Sequence, residues 1–343
     1  MKLNEHIAQL KGYPTADKFE YEVGVMSNEN NYGPSPRVYE AISAIKDVNR
    51  YPDPLAEKLR EKLAKYNHLP SENIVCFSGG DEAIRTILGL FLQPGKTLLG
   101  HAPTFAMYPI GAQYYGAKYD AVPLEKDFSF TQKQLDSLLG KSAAASAIAL
   151  CNPNNPTGNA IPLPLLEKLL DSTKAPVLVD EAYYEYHGET VAKRAAEKDG
   201  NAIVVRTLSK AFGLAGLRCG YAIAPKEIAD ALLKAKLVFN VNSVTQAAAL
   251  AALDDLPHMR GIAEKTVADR EKLYRELSSK GYAAYASTAN FVLAQDAGGV
   301  LYQKLLANKV LARQVKIPGF PPEQFVRISI GTTQENERVM ALL

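Results

Sequence analysis

Residues 202–224 read AIVVRTLSKAFGLAGLRCGYAIA: a β-branched apolar run, a polar and glycine-rich turn, and a second apolar run. Short apolar runs that end in turn residues predict buried strands, here Ala202–Arg206 and Gly220–Ala224. To the N-terminal side, the same pattern predicts strands at Ile74–Phe77, Thr97–Gly100, Ala145–Cys151 and Pro176–Asp180. Amphipathic stretches around them predict helices over 54–67, 81–92, 131–139 and 163–171. From 39 to 225 this alternation is that of a large α/β domain, with a mainly parallel central sheet flanked by helices. After Pro225, helical patterns over 227–238, 243–253 and 258–279 precede strands near Asn290–Ala294, Val310–Arg313 and Phe325–Ile330. That reads as a smaller α+β domain over 226–343. Residues 1–38, punctuated by Pro14, Pro34 and Pro36, hold no good element and read as a strap for the small domain or a neighbouring subunit.

Composition narrows the partners. Of 343 residues, 47% are hydrophobic and 22% charged, enough apolar material for a sizeable core. Lys plus Arg number 39 against 37 Asp plus Glu, with no long block of one sign, so neither nucleic acid nor an anionic membrane is expected as a partner. Cys76, Cys151 and Cys219 are odd in number and mostly sit in apolar strand-like stretches, which predicts reduced thiols in a cytoplasmic protein. The N-terminal MKLNEHIAQLKGYP lacks the apolar core of a signal peptide, and no apolar run approaches the roughly 18 residues of a membrane span. The five histidines, His6, His68, His101, His187 and His258, have no metal-binding spacing, so no metal is expected.

In α/β sheets ligand groups collect at the carboxyl ends of strands, so the turn after each strand carries the most information. Four turns stand out: SGGDEAI after Phe77, NPNNPTG after Cys151, DEAYYEY from Asp180, and LSKAFGLAGLRCGY after Thr207. Each has a bland reading. A strand-end Asp usually caps a turn, a lone Lys is usually solvated, and Gly-Gly before Asp-Glu commonly starts a helix. Together they ask for a pyridinium ring bearing an aldehyde, a phenolic oxygen and a phosphate. Lys210 lies in the apolar stretch Leu208–Leu217, where desolvation lowers an amine's pKa and makes it a usable Schiff-base nucleophile. Asp180, ending an apolar strand, needs a cationic partner, which a protonated pyridine nitrogen supplies. Gly79 and Gly80 precede a helix whose first N–H groups favour an anion, while Thr207, Ser209 and Arg218 offer hydroxyls and a bidentate cation for the same phosphate.

These motifs, with SNENNYGPSP (27–36), NRYPDP (49–54), PTFAMY (103–108) and VRISIGT (326–332), run in the order of a known family across nearly the whole chain. The sequence resembles the fold-type I pyridoxal-phosphate aminotransferases, and within them most the histidinol-phosphate aminotransferase group. The resemblance implies pyridoxal 5'-phosphate as cofactor, with Lys210 as the Schiff-base and proton-shuttling lysine and Asp180 holding the pyridine nitrogen protonated. It implies Asn155 and Tyr183 on the cofactor's 3' oxygen and Phe105 stacked on the ring. Gly79, Gly80, Asp81, Thr207, Ser209 and Arg218 match the phosphate cup. Tyr51, in NRYPDP, matches a tyrosine that reaches the neighbouring subunit's phosphate, which implies a homodimer.

For the substrates, Arg327 matches the arginine that grips a carboxylate. Asn155, Arg313 and Tyr13 complete the substrate side, the last two on the phosphate of histidinol phosphate. Glutamate and 2-oxoglutarate are the implied second pair. Two neighbouring readings stay open on sequence alone, an aromatic amino-acid aminotransferase and a threonine-phosphate decarboxylase, because the chain does not give the pocket's size. Asn31 stands where the group commonly has proline, and Gly80 where a hydroxyl is frequent, so phosphate binding at that position is expected to rest on backbone alone.

Overall fold

Residues 208–219 join the two apolar runs through nothing longer than a single 3-10 turn, Ala215–Leu217, and a parallel return needs a crossover, usually a helix. The second run therefore comes back antiparallel. In the computed structural model, which describes residues 3–10, 12, 20–321 and 324–343, this is the one reversed strand of the main sheet. In chain order the strands are β1 (Val23–Gly24), β2 (Ile74–Phe77), β3 (Thr97–Ala102), β4 (Lys118–Pro123), β5 (Ala147–Cys151), β6 (Val177–Asp180) and β7 (Ala202–Thr207). The remainder are β8 (Gly220–Ile223), β9 (Ala283–Tyr285), β10 (Phe291–Gln295), β11 (Val310–Leu311), β12 (Arg313–Val315) and β13 (Phe325–Ser329). The seven-stranded sheet has the order β2-β8-β7-β6-β5-β3-β4, parallel except for β8. The expectation of an α/β fold with a mainly parallel sheet is met.

Helices cover both faces because each presents an apolar stripe. Leu59 and Leu63, four apart on helix Glu57–Asn67, are fully buried. On the other face, Ala83, Ile84, Ile87 and Leu88 of helix Gly79–Phe91 pack under β2 and β8. A buried leucine or isoleucine of this kind contributes about 1.5–3 kcal/mol. The first of these helices starts at Glu57 rather than at 54, because the Asp53 carboxylate accepts the N–H groups of Leu55 and Glu57 and Ala56 adopts a left-handed φ of 49°.

Three expectations change. Helices Lys226–Ala235 and Ser243–Leu253, expected in the smaller domain, pack instead on the first layer: Ala229 and Leu232 join Ile84 and Ile87, and Ala248, Ala249 and Ala252 join Leu59 and Leu63. The strand expected over 310–313 divides at Ala312. Val310–Leu311 pairs with β1, whereas Arg313–Val315 pairs with β13 in the four-stranded sheet β12-β13-β10-β9. The strap is not devoid of structure either: Val23–Gly24 adds in parallel to Val310–Leu311, so it docks on the C-terminal part of the chain. No helix among the described residues is long and apolar enough to cross a membrane.

Candidate active site

The carboxyl ends of β5, β6 and β7, with the starts of β8 and of helix Gly79–Phe91, border a cavity of about 610 Å³. Gly80, Asp81, Phe105, Asn155, Asp180, Tyr183, Thr207, Ser209, Lys210, Arg218, Arg313 and Arg327 line it together, residues that span most of the sequence.

Asp180 ends β6 at 4% exposure, and its carboxylate accepts the Tyr108 O–H (2.9 Å) and the Ala182 N–H (3.1 Å). Burial outweighs both bonds and pushes the carboxyl up to about 6. No cationic side chain among the described residues bonds it, the situation a protonated ring nitrogen would relieve. Lys210 comes after β7, and its amine donates to the Ser27 carbonyl at 3.2 Å. Burial, helped by the positive charge of Arg327, brings that amine down to about 8.

An anion cradle forms where helix Gly79–Phe91 begins beside Arg218. Gly79 sits at φ +84°, and a Cβ there would lie 2.5 Å from Arg218 Nη2, so only glycine lets the guanidinium and the first helical turn approach this closely. Arg218 reaches the Asp81 carboxylate at 3.1 Å. The Thr207 hydroxyl lies 2.9 Å from Ser209 Oγ and accepts the Ser209 N–H, drawing the loop tight after β7. Gly80 offers only backbone here, as the sequence implied.

Opposite, Arg327 of β13 donates to Asn155 Oδ1 (2.6 Å) and to the Met26 carbonyl (2.7 Å). The split near Ala312 sets Arg313 directly across from Arg327 in the β12–β13 register, so both face the same cavity. Tyr183 accepts from Asn28 Nδ2 at 2.9 Å, and burial raises its phenol well above the usual range. Gly79 and Tyr51, both expected at the phosphate, are not among the residues that line the cavity. Tyr51 is 81% exposed and stacks on Phe239 with ring centroids 4.4 Å apart, and Tyr13 lies outside the described residues.

Sequence reasoning assigned no role to Tyr108 or Asn28, though both fell inside quoted motifs. The signal for Tyr108 was its spacing of three from Phe105 in PTFAMY, one turn apart, and the two rings meet edge to face at 5.9 Å. No group of His, Cys, Asp and Glu among the described residues is placed to hold a metal ion.

A strand order of this kind, with its site at the carboxyl edge beside a desolvated lysine and a buried aspartate, is the architecture of the fold-type I aminotransferases. The sequence model of Aminotransferase class I and II matches residues 21–343, and the chain belongs to that family. It is 35% identical over 353 residues to the histidinol-phosphate aminotransferase of Roseiflexus castenholzii, covering 99% of this chain and 92% of the relative. Against that of Methanocaldococcus jannaschii it is again 35% identical, with 100% and 92% covered. Among solved structures, the histidinol-phosphate aminotransferase of Sinorhizobium meliloti in complex with pyridoxal-5'-phosphate superposes with a TM-score of 0.90 at 25% identity, covering 99% of this chain and 96% of that one. An L-threonine-O-3-phosphate decarboxylase from Porphyromonas gingivalis, 22% identical with a TM-score of 0.80, shares the fold alone.

Proposed function

We propose that the chain is a pyridoxal-phosphate-dependent transaminase acting between histidinol phosphate and 2-oxoglutarate, in histidine biosynthesis. The observation that carries the choice of substrate is the cross-strand register of Arg313 and Arg327. Like charges set directly opposite on one face repel, and a phosphate held between them removes the penalty. Arg327 alone suits the carboxylate of glutamate, while the pair suits the phosphate of histidinol phosphate, with Tyr13 completing that grip.

The residues around the cavity fit pyridoxal phosphate. Backbone N–H groups at Gly79, Gly80 and Asp81, with Thr207, Ser209 and Arg218, would hold its phosphate; Phe105 would cover the ring, Asp180 its nitrogen, and Asn155 and Tyr183 its 3' oxygen. When bound, the cofactor supplies an aldehyde for the amine and a protonated ring that withdraws electrons. The chain supplies the rest. Lys210 Nζ, whose lowered pKa gives it a far larger neutral fraction near neutral pH than an ordinary lysine has, takes the proton from the substrate's amine-bearing carbon. Asp180 holds a proton at the ring nitrogen, and Arg327 orients the substrate so that this carbon faces Lys210. Asn28 fixes the Tyr183 hydroxyl through its 2.9 Å bond.

A homodimer belongs to the same reading, Tyr51 of one protomer reaching the phosphate site of its partner. Its support is an exposed apolar surface in which Val48, Leu237 and Val238 are each more than 60% exposed around the Tyr51–Phe239 stack. Three buried free thiols accord with a cytoplasmic location. We assign the strap to 1–38 and the cofactor domain to residues from 39 onward. We place its boundary with the small domain in helix Leu256–Ser279 rather than at the expected 225, a choice supported by that helix's contacts with both parts of the chain.

Mixing the yellow holoenzyme separately with histidinol phosphate, phenylalanine, glutamate and threonine phosphate, and monitoring the cofactor absorbance, tests this. Loss of the visible band with histidinol phosphate and glutamate is expected. Preference for phenylalanine would move the assignment to aromatic amino acids, and decarboxylation of threonine phosphate would move it out of amino transfer.

A further inference from the structure

A second cavity, of about 750 Å³, shares the segment that begins at Asp180 with the active site. Asp180 and Tyr183 line the first cavity, whereas Tyr184 and Glu185 line the second. Its other walls are Tyr66 and Asn67 at the end of helix Glu57–Asn67, and Met259, Ala263 and Val267, an apolar stripe of helix Leu256–Ser279.

The charges at its inner end do not balance. Arg206, 2% exposed, spends its Nε and Nη2 on one oxygen of Glu181 at 3.0 and 2.8 Å, and reaches Asn67 Oδ1 and Thr190 Oγ1 at 2.7 Å each. Its guanidinium lies 3.4 Å from the Tyr184 ring centroid. Glu181 is thereby neutralised. Glu185 remains, with the Tyr66 hydroxyl donating at 3.2 Å and with Arg206 and Glu181 as the charges acting on it. Two carboxylates against one guanidinium leave one negative charge in excess, which a proton or a cation must meet. Burial pushes the Glu185 carboxyl up to about 7, against the lowering pull of Arg206 and of the Tyr66 hydroxyl. The exposed Lys193, Arg260 and Glu264 stand at the rim, where water screens them.

We propose that this cavity binds a monovalent organic cation with an apolar body, its amine, amidine or guanidine head on Glu185 and its body against Met259, Ala263 and Val267. The active site takes anionic substrates, so the two cavities select opposite charges.

Benzamidine is a suitable probe: its planar amidinium matches a carboxylate, and it has no hydrogen on an amine-bearing carbon to lose. Calorimetric titration of the holoenzyme with benzamidine at about pH 8.5, where Glu185 is ionised, should give saturable binding of one probe per chain. Glu185→Gln should weaken it at least about tenfold, and Tyr66→Phe, which keeps the carboxylate, should bind within about threefold of the parent. Retention of the visible cofactor band checks that each variant is folded. If Glu185→Gln loses that band, Glu185→Asp replaces it, with weakening of about fivefold expected as the carboxylate retreats by one methylene. Absence of saturable heat up to about 10 mM probe, or equal binding by the parent and the Glu185 variant, overturns the proposal.

Discussion

Asp180 illustrates how one side chain can be costly to the empty fold and useful to the loaded one. Its folded pKa, raised to about 6 by burial, means that the proton is held more tightly in the folded chain than in the unfolded one. The stability this contributes is fully present below about pH 4 and is lost as pH rises through about 6. In the cofactor-free protein, Asp180→Asn should therefore raise the urea midpoint relative to the parent at about pH 7.5 and leave it nearly unchanged near pH 4. Equal differences at the two pH values would contradict the sign. Tyr108→Phe removes a donor to the ionised carboxylate, so Asp180 should titrate higher still, and cofactor affinity measured against pH should begin to fall from a higher pH than in the parent. Lys210 works in the opposite direction. Its amine is the reactive form, and with a pKa near 8 the rate of pyridoxal-phosphate capture should climb from pH 7 to 9 and then level. A rate still rising tenfold per pH unit near pH 10 would indicate an ordinary lysine. Lys210 and Asp180 were legible in the sequence because each comes after an apolar run that has only one reading. Tyr108 and Asn28 were not, because a buried tyrosine or asparagine announces a partner without saying which, and theirs lie 72 and 155 residues away.

Helix Gly79–Phe91 meets Arg218 at its first residue, and two adjacent glycines there behave differently. A Cβ on Gly79 would strike the guanidinium at 2.5 Å and sit at φ +84°, whereas one on Gly80 would find only Val205 Cγ1, at 3.7 Å. Gly79→Ala is expected to cost about 1–3 kcal/mol of stability and most of the cofactor affinity, and Gly80→Ala little of either. Thermal melts and cofactor titrations of the two variants check this. Among the elements, the buried strands β2, β3, β5, β6, β7 and β8 could be read from their uninterrupted apolar runs, and their observed ends differ by two residues or fewer. The edge strand β4, KYDAVP, could not, because its mixed exposure leaves no apolar period. Helix Met107–Tyr114 was hidden by Pro109, which normally argues against a helix but is harmless in the first turn. The break at Ala312 was invisible for another reason: which strand a residue pairs with is set by tertiary neighbours, and β1 and β13 compete for one short segment.

Across the molecule as a whole, the apolar surface around Tyr51 and Phe239 calls for a cover. On the homodimer proposed above, Leu237→Asp should shift the sedimentation of the protein from dimer to monomer and reduce cofactor retention together, since the Tyr51 of each protomer is assigned to the other's site. A monomeric variant that keeps its cofactor at full affinity would separate the two. Charge balance was legible from composition and the α/β class from the alternation of apolar and amphipathic stretches, whereas this surface was not: exposed leucines and valines are ordinary until they stand side by side. The strap has the largest reach. Asn28 accepts a bond from Ser329 across 301 residues, Asn30 donates to the carbonyl next to Lys210, and Asn31 ties Gly24 to Glu335. The cavity is thus walled by segments about 300 residues apart, Met26–Asn28 on one side and Arg327 on the other. At about 5–20 residues per second the strap waits some tens of seconds for its C-terminal anchors. Until then the nascent chain can have its main sheet without the wall that Arg327 supplies, so a complete cofactor cavity has to await the synthesis of β13.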